Sequence, residues 1–200
     1  YRLANKLINM FPEHTTYVEV FGGAAHVLFK KELSKVEVYN DIDGRLVNFF
    51  QVIKDKEKNA ILCQMLKDTL YSRAVFEARK AQSGGSDIER AYSFAIVSRM
   101  SFGAAMVAWG YKIATAGNVV TWFHTPEKIE AAFDRLKHVQ IENRGFEYIL
   151  KTYDRPETFF YLDPPYSFSG ARGKSKVYQN EMTDDDHNRL VDCLLNIKGK

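Results

Sequence analysis

The sequence of 200 residues holds two cysteines and five prolines. Cys63 and Cys193 lie far apart in the chain and match no metal-ligand spacing, which argues against a disulfide scaffold or a zinc module. They read as reduced packing residues of a cytosolic protein. No apolar run approaches the length needed to span a bilayer, and no signal-peptide pattern opens the chain. Repeats and low-complexity tracts are missing, so neither a solenoid nor a disordered array is expected. A large excess of one charge is missing too: 28 Lys and Arg face 25 Asp and Glu, a net +3 that permits a polyanionic partner without demanding one. What remains is ordinary for a globular protein, 46% hydrophobic and 26% charged, with a generous 14% of aromatic residues. That is enough for one sizeable core and a smaller appended lobe. The start at Tyr1 rather than Met suggests a segment of a longer chain.

Apolar periodicity orders the chain. An amphipathic helix is expected over 3–11, ended by Pro12. A strand at 16–20 leads into Gly22-Gly23 and a helix through Val27, Leu28 and Phe29. A second strand at 36–39 is followed by Asp41-Ile42-Asp43 and a helix carrying Leu46, Val47, Phe49, Phe50 and Ile53. From about Lys58 to Arg135 the pattern is helical, broken at Ser83-Gly84-Gly85-Ser86 and again in a stretch rich in Gly, Trp and Tyr after Met100. Alternation then resumes, with a strand at 139–141, a short helix at 146–150, a strand at 158–162 and a last helix opened by Thr183. Strand–helix alternation on both sides of a helical insert predicts an α/β fold, a parallel sheet covered by helices.

The most informative string is Asp163-Pro164-Pro165-Tyr166, directly after the apolar run Phe159-Phe160-Tyr161-Leu162. Two prolines stiffen the turn and leave its carbonyls as acceptors. Asp163 adds a carboxylate and Tyr166 a π face. A planar base with an exocyclic amine needs that combination; the plainer reading is a turn with no ligand. Gly22-Gly23 between strand and helix lets a backbone approach a ligand, or simply makes a tight turn. Asp41, at the end of the second strand, sits where a carboxylate commonly takes both hydroxyls of a ribose. Asp41 and Asp43 would also serve as a hard-cation pair, although Asp43 is better placed as a helix cap. Thr183-Asp184-Asp185-Asp186-His187 likewise fits an N-cap followed by acids in a first helical turn rather than a metal site.

Taken in order, these pieces resemble the Dam-type (D12 class, alpha order) DNA N6-adenine methyltransferases. Tyr17-Val18-Glu19-Val20-Phe21-Gly22-Gly23 is similar to that family's S-adenosylmethionine loop, and Tyr39-Asn40-Asp41-Ile42-Asp43 to its ribose-binding segment. Ser98-Arg99-Met100-Ser101-Phe102-Gly103 is similar to a stretch near the DNA-facing lobe, and Asp184-Asp185-Asp186-His187-Asn188-Arg189-Leu190 to the helix after the catalytic loop. Three departures stand out. The family's Gly-Gly-Lys ahead of Tyr1 is absent, Gly145 stands where an acid is frequent, and the strand expected after Lys200 is not present, leaving the sheet incomplete at the C-terminus.

The resemblance implies a Rossmann-like class I methyltransferase sheet with an inserted helical target-recognition lobe. The catalytic, cofactor-binding domain is expected at 1–57 and 136–200 and the DNA-recognition lobe at 58–135. It implies transfer of a methyl group from S-adenosylmethionine to the N6 amine of an adenine flipped out of duplex DNA, with no metal. Asp163, Pro164, Pro165 and Tyr166 are the implied catalytic residues. Glu19, Phe21, Gly22, Gly23, Asp41, Ile42, Phe146 and Asp163 are the implied cofactor contacts, and Arg99, Lys112 and Tyr178 the candidate DNA contacts. Trp109, Tyr111 and Trp122 would either wedge into the duplex or pack the lobe. Double-stranded DNA is the implied partner, a cognate restriction endonuclease is a further one the resemblance allows, and no membrane is involved. The expected protein is a monomer in the cytoplasm of a bacterium, or phage-encoded. Two other readings use the same residues: a non-catalytic DNA-binding relative, and methylation of cytosine N4 or an RNA base.

Overall fold

The computed structural model describes residues 2–102, 106–111, 117–165 and 182–200. The chain divides into two compact units, one formed by Tyr1–Val47 with His138–Lys200 and the other by Asn48–Lys137.

The first unit is built on four parallel strands among the described residues: β1 (Thr16–Glu19), β2 (Val36–Asn40), β3 (Val139–Glu142) and β4 (Thr158–Tyr161). Their order is β3-β2-β1-β4. The chain steps outward from β1 to β3 and then returns to lay β4 on the other side of β1. Val18 faces Val38 on one neighbour and Phe160 on the other, and these apolar positions knit the sheet to Ile149, Leu150 and Leu190 in one buried cluster. Helix α1 (Arg2–Ile8) precedes the sheet, α8 (Phe146–Tyr153) links β3 to β4, and α9 (Asp184–Leu194) closes the described chain. Thr183 opens α9 with a reciprocal cap. Its hydroxyl accepts from the Asp186 N–H at 3.1 Å, and an Asp186 carboxylate oxygen accepts from the Thr183 N–H at 2.8 Å.

Helix α2 (Gly44–Lys54) begins in the first unit and runs into the second. The second unit adds α3 (Lys56–Lys67), α4 (Arg73–Ala81), α5 (Asp87–Met100), α6 (Gly117–Phe123) and α7 (Thr125–Leu136). Leu62, Leu66, Ile96, Met100 and Leu136 fill its core. Trp122 is buried there and donates its indole N–H to the Thr69 carbonyl at 2.8 Å. Trp109 packs its ring 4.6 Å from Tyr71 and 5.8 Å from Phe76, whereas Tyr111 is exposed. Two of the three wedge candidates are therefore packing residues.

Two local expectations change. Helix α1 stops at Ile8 instead of 11, and its end tightens through i→i−3 bonds, Met10 N–H to Leu7 at 2.9 Å and Phe11 N–H to Ile8 at 3.2 Å. Pro12 accounts for this, because the residue before a proline is pushed out of the helical region. The helix expected after Gly22-Gly23 does not form; residues 23–24 and 26–30 are turns. Gly23 at φ 48° and Ala25 at φ 53° are both left-handed, and the Leu28 N–H donates to the Glu19 carboxylate at 3.1 Å. Left-handed residues cannot propagate a right-handed helix. At the other end, Lys200 pairs with the free edge of β4: the Phe160 N–H donates to its carbonyl, and its own N–H donates to Thr158, both at 2.9 Å.

Gly22 is set by packing. A Cβ there would stand 2.6 Å from Cδ2 and 2.7 Å from Cζ of Tyr39, whose side chain is fully buried. Gly23 is set by conformation, for an added Cβ meets nothing within 4 Å. Gly22→Ala is therefore expected to cost about 1–3 kcal/mol by overpacking, and Gly23→Ala only about 1 kcal/mol from its left-handed backbone. Urea unfolding of the two variants separates the causes. A Gly22→Ala protein as stable as Gly23→Ala contradicts the Tyr39 contact.

Candidate active site

Strand order reverses between β1 and β4, and in open parallel sheets the crevice at such a point, outside the carboxyl ends of the strands, is where ligands bind. A cavity of about 530 Å³ lies at the carboxyl ends of β2, β1 and β4. Its walls include Glu19, Phe21, Gly22 and Gly23 from the β1 exit, Asp41, Ile42 and Asp43 from the β2 exit, and Tyr161, Asp163, Pro164 and Pro165 from the β4 exit.

At the β1 exit the Glu19 carboxylate is 2% exposed. One oxygen accepts from the Tyr17 hydroxyl at 2.8 Å and from the Leu28 N–H at 3.1 Å. Burial raises its pKa to about 7, against the pull of those two donors and of the Lys31 cation; the Asp163 charge adds to the rise. Lys31 is itself buried, 2.5 Å from the Glu37 carboxylate and 4.5 Å from the centre of the Tyr17 ring. Burial and the neighbouring Glu19 drive the Tyr17 hydroxyl far above the ordinary phenol range, so it stays protonated and donates to Glu19.

The β2 exit is tied to the β1 exit. The Tyr39 hydroxyl donates to the Gly23 carbonyl at 2.8 Å. One Asp41 oxygen accepts from the Gly23 N–H and the other from the Asp43 N–H, each at 2.8 Å. Burial raises the Asp41 pKa, opposed by those N–H donors. Each oxygen keeps lone-pair capacity for a further donor. Asp43 caps α2 by accepting from the Arg45 N–H at 2.9 Å and pairs with the Arg45 guanidinium at 2.6 Å. Burial would raise its pKa, but the Arg45 contacts outweigh it and hold it low. The capping role expected of Asp43 is formed. Ile42 remains 56% exposed and offers the cavity an apolar face.

Asn40 locks the next exit. Its amide donates to the carbonyls of Val20 at 2.9 Å and Arg144 at 3.0 Å, and its oxygen accepts from the Arg144 N–H at 2.9 Å. The Asn143 amide donates to the Asp41 carbonyl at 2.7 Å. At the β4 exit Asp163 is exposed on the cavity wall and makes no hydrogen bond with a described residue.

Glu19, Phe21, Gly22, Gly23, Asp41, Ile42, Asp163, Pro164 and Pro165 thus share one cavity. Phe146 does not line it; the ring is buried at the start of α8, 5.9 Å from Phe21, and supports that wall from behind. Arg99 is exposed in the last turn of α5. Tyr166, Lys112 and Tyr178 lie outside the described residues. The sequence reading passed over Ala24, Ala25, His26, Val27, Leu46 and Tyr161, all on the wall. Leu46 and Tyr161 were readable as neighbours of the two acidic exits. Ala25 and His26 carried no signal, because nothing in an alanine announces a left-handed backbone.

Every described group on this wall that ionises at neutral pH or below is a carboxyl group, save the imidazole of His26. A crevice of this charge at a strand-order reversal suits a ligand with cationic and hydroxyl groups better than a polyphosphate. No curated protein matches the chain. A family model described as D12 class N6 adenine-specific DNA methyltransferase matches residues 1–200, the whole sequence. The chain therefore belongs to the D12 class of N6 adenine-specific DNA methyltransferases.

Proposed function

We propose that the cavity binds S-adenosylmethionine and that Asp163 and the Pro164 carbonyl hold the N6 amine of an adenine turned out of the duplex. The observation that carries this reading is the cavity wall: Glu19, Asp41, Asp43 and Asp163 converge on it, and no Lys or Arg lines it among the described residues. A nucleotide polyphosphate would meet four carboxyl groups there and a single imidazole. A ligand with a sulfonium, an ammonium, a ribose and a purine meets complementary groups, and the volume falls within the range of ligand pockets, ~300–1,000 Å³. When bound, the cofactor supplies an electrophilic methyl group on a sulfonium.

The chain's own groups do the rest. Asp41, its two oxygens each holding one backbone N–H, takes the ribose hydroxyls with its remaining lone pairs. Ile42 lies against the purine face. Glu19 faces the cationic end with a carboxylate that Tyr17 and Leu28 keep from turning away. An adenine amine is a weak nucleophile because its lone pair is delocalised into the ring. Accepting both N–H groups, one at Asp163 and one at the Pro164 carbonyl, draws the nitrogen toward a tetrahedral shape and frees the lone pair. The nitrogen–carbon bond forms as the sulfur–carbon bond breaks. One proton leaves the nitrogen by way of Asp163 to solvent. A carboxylate already in place where positive charge develops is the main stabilising element. Inside a duplex the amine is out of reach, so the base has to leave the stack. Tyr166 supplies the stacking ring in this reading, worth ~1–3 kcal/mol.

Asp163→Ala is expected to lower methyl transfer to duplex DNA by about 10²–10³-fold, with the affinity for S-adenosylmethionine changed far less. Radiolabelled methyl incorporation and calorimetric titration measure the two. Loss of cofactor binding equal to the loss of turnover sinks the assignment of Asp163 to the amine.

A pH dependence follows from Glu19. Its carboxyl titrates at about 7, so below that pH it is largely protonated. A cation beside it favours the ionised form, and binding must then expel a proton. Affinity for S-adenosylmethionine should fall as pH drops from 8 to 6, by at most about tenfold per pH unit. S-adenosylhomocysteine, without the sulfonium charge, should show a shallower slope. Equal slopes for both ligands place the sulfonium away from Glu19.

A further inference from the structure

We propose that His26 recognises the carboxylate of the methyl donor's amino-acid end; the proposal rests on the cofactor reading above. That ligand carries one anionic group, and an anion is badly served by this cavity. Four carboxylates, Glu19, Asp41, Asp43 and Asp163, line it, and among the described lining residues the imidazole of His26 is the single side chain able to carry positive charge. Tyr161 is the other described side-chain donor on the wall beyond the carboxyl groups, but it stands in the negative field of Asp163 and Glu19, which raises its pKa after burial has done so. An anion placed there would add to that field.

Backbone donors of the β1 exit do not solve the problem, because most are committed to the protein. The Gly22 N–H donates to Asn40 at 2.8 Å, the Gly23 N–H to Asp41 at 2.8 Å and the Ala25 N–H to Gly22 at 2.8 Å. The Ala24 N–H, on the same wall two residues before His26, donates to no described oxygen.

The backbone is bent to put His26 on this wall. Ala25 holds φ 53°, a left-handed alanine that costs roughly 1–2 kcal/mol against a helical one. Strained residues of this kind cluster at ligand clamps. A helix begun at residue 24 would relieve the strain and carry the following side chain round with the helical turn. The His26 side chain is exposed on the cavity wall.

Calorimetric titration of the protein with S-adenosylmethionine and with decarboxylated S-adenosylmethionine tests the proposal, since the second ligand differs only in lacking the carboxylate. His26→Ala is expected to weaken binding of the first by about tenfold or more, the scale of one hydrogen bond to a charged group. Binding of the second should stay within about twofold. His26→Gln, which keeps an N–H donor, should recover part of the loss. Equal weakening for both ligands makes His26 a support of the turn and overturns the proposal, as does an unchanged affinity for both. A wild-type protein that binds neither ligand overturns the cofactor reading and this proposal with it.

Discussion

The cavity exists because the backbone leaving β1 lies directly on the ring of Tyr39. Gly22 is the only residue type that fits there, since any Cβ would overlap the ring. From that contact the exits take their places. The Tyr39 hydroxyl reaches past Gly22 to the Gly23 carbonyl, and Asp41, two residues further along β2, takes the Gly23 N–H. A single glycine thus has both peptide groups held by the neighbouring strand exit. The left-handed turn at Gly23 and Ala25 then carries the chain away from the sheet without filling the space above β1.

Charge in the first unit is organised around the same strands. A carboxylate as buried as Glu19 is expensive to ionise. Lys31 offsets part of that cost from two side chains away, stacked on Tyr17, which in turn donates to Glu19. Lys31 spends its three protons on Glu37 at 2.5 Å, Ser34 at 2.7 Å and the Glu32 carbonyl at 2.7 Å. A buried pair of this sort adds little net stability, but removing one partner typically costs ~3–5 kcal/mol, because the other is left uncompensated. The pair therefore fixes where the cation stands more than it strengthens the fold. Burial still outweighs Lys31 and the two donors, and holds the Glu19 pKa up at about 7.

Much of this was legible in the sequence, and the illegible part has a physical reason. The four strands announced themselves as apolar runs ending in Gly-Gly, Asp, Asn or Asp-Pro-Pro, residues that terminate strands for steric and hydrogen-bonding reasons. Their parallel order followed from the alternation. The capping roles of Asp43 and Thr183 followed from acids and hydroxyls just ahead of apolar periodicity. Long-range choices were not legible. Phe146 has the look of an exposed aromatic near a ligand, yet it turns inward onto Phe21 because α8 needs an apolar residue in its first turn to seal the core. Trp109 and Trp122 look like wedges and are packing residues for the same reason: a small helical unit has few large side chains with which to fill its interior. The turn through Ala25 and His26 depends on Glu19 capturing the Leu28 N–H nine residues away, a contact that no local pattern encodes.

The exits differ in how they are held, and the difference bears on chemistry. Those of β1, β2 and β3 are cross-tied: Asp41 to Gly23, Asn40 to Val20 and Arg144, Asn143 to Asp41. Together these ties join the three exits to one another at the floor of the cavity. The β4 exit is stiffened by covalent means instead. Two prolines restrict its backbone without consuming hydrogen-bond acceptors. Asp163 consequently arrives at the wall rigidly placed at its backbone, with a carboxylate that no described donor occupies. The role proposed for Asp163, accepting one hydrogen of an incoming amine, needs that combination, because an acceptor already satisfied by the protein would have to break a bond before it could bind. Prolines achieve for Asp163 what hydrogen bonds achieve for Asp41, and leave its oxygens without a described donor.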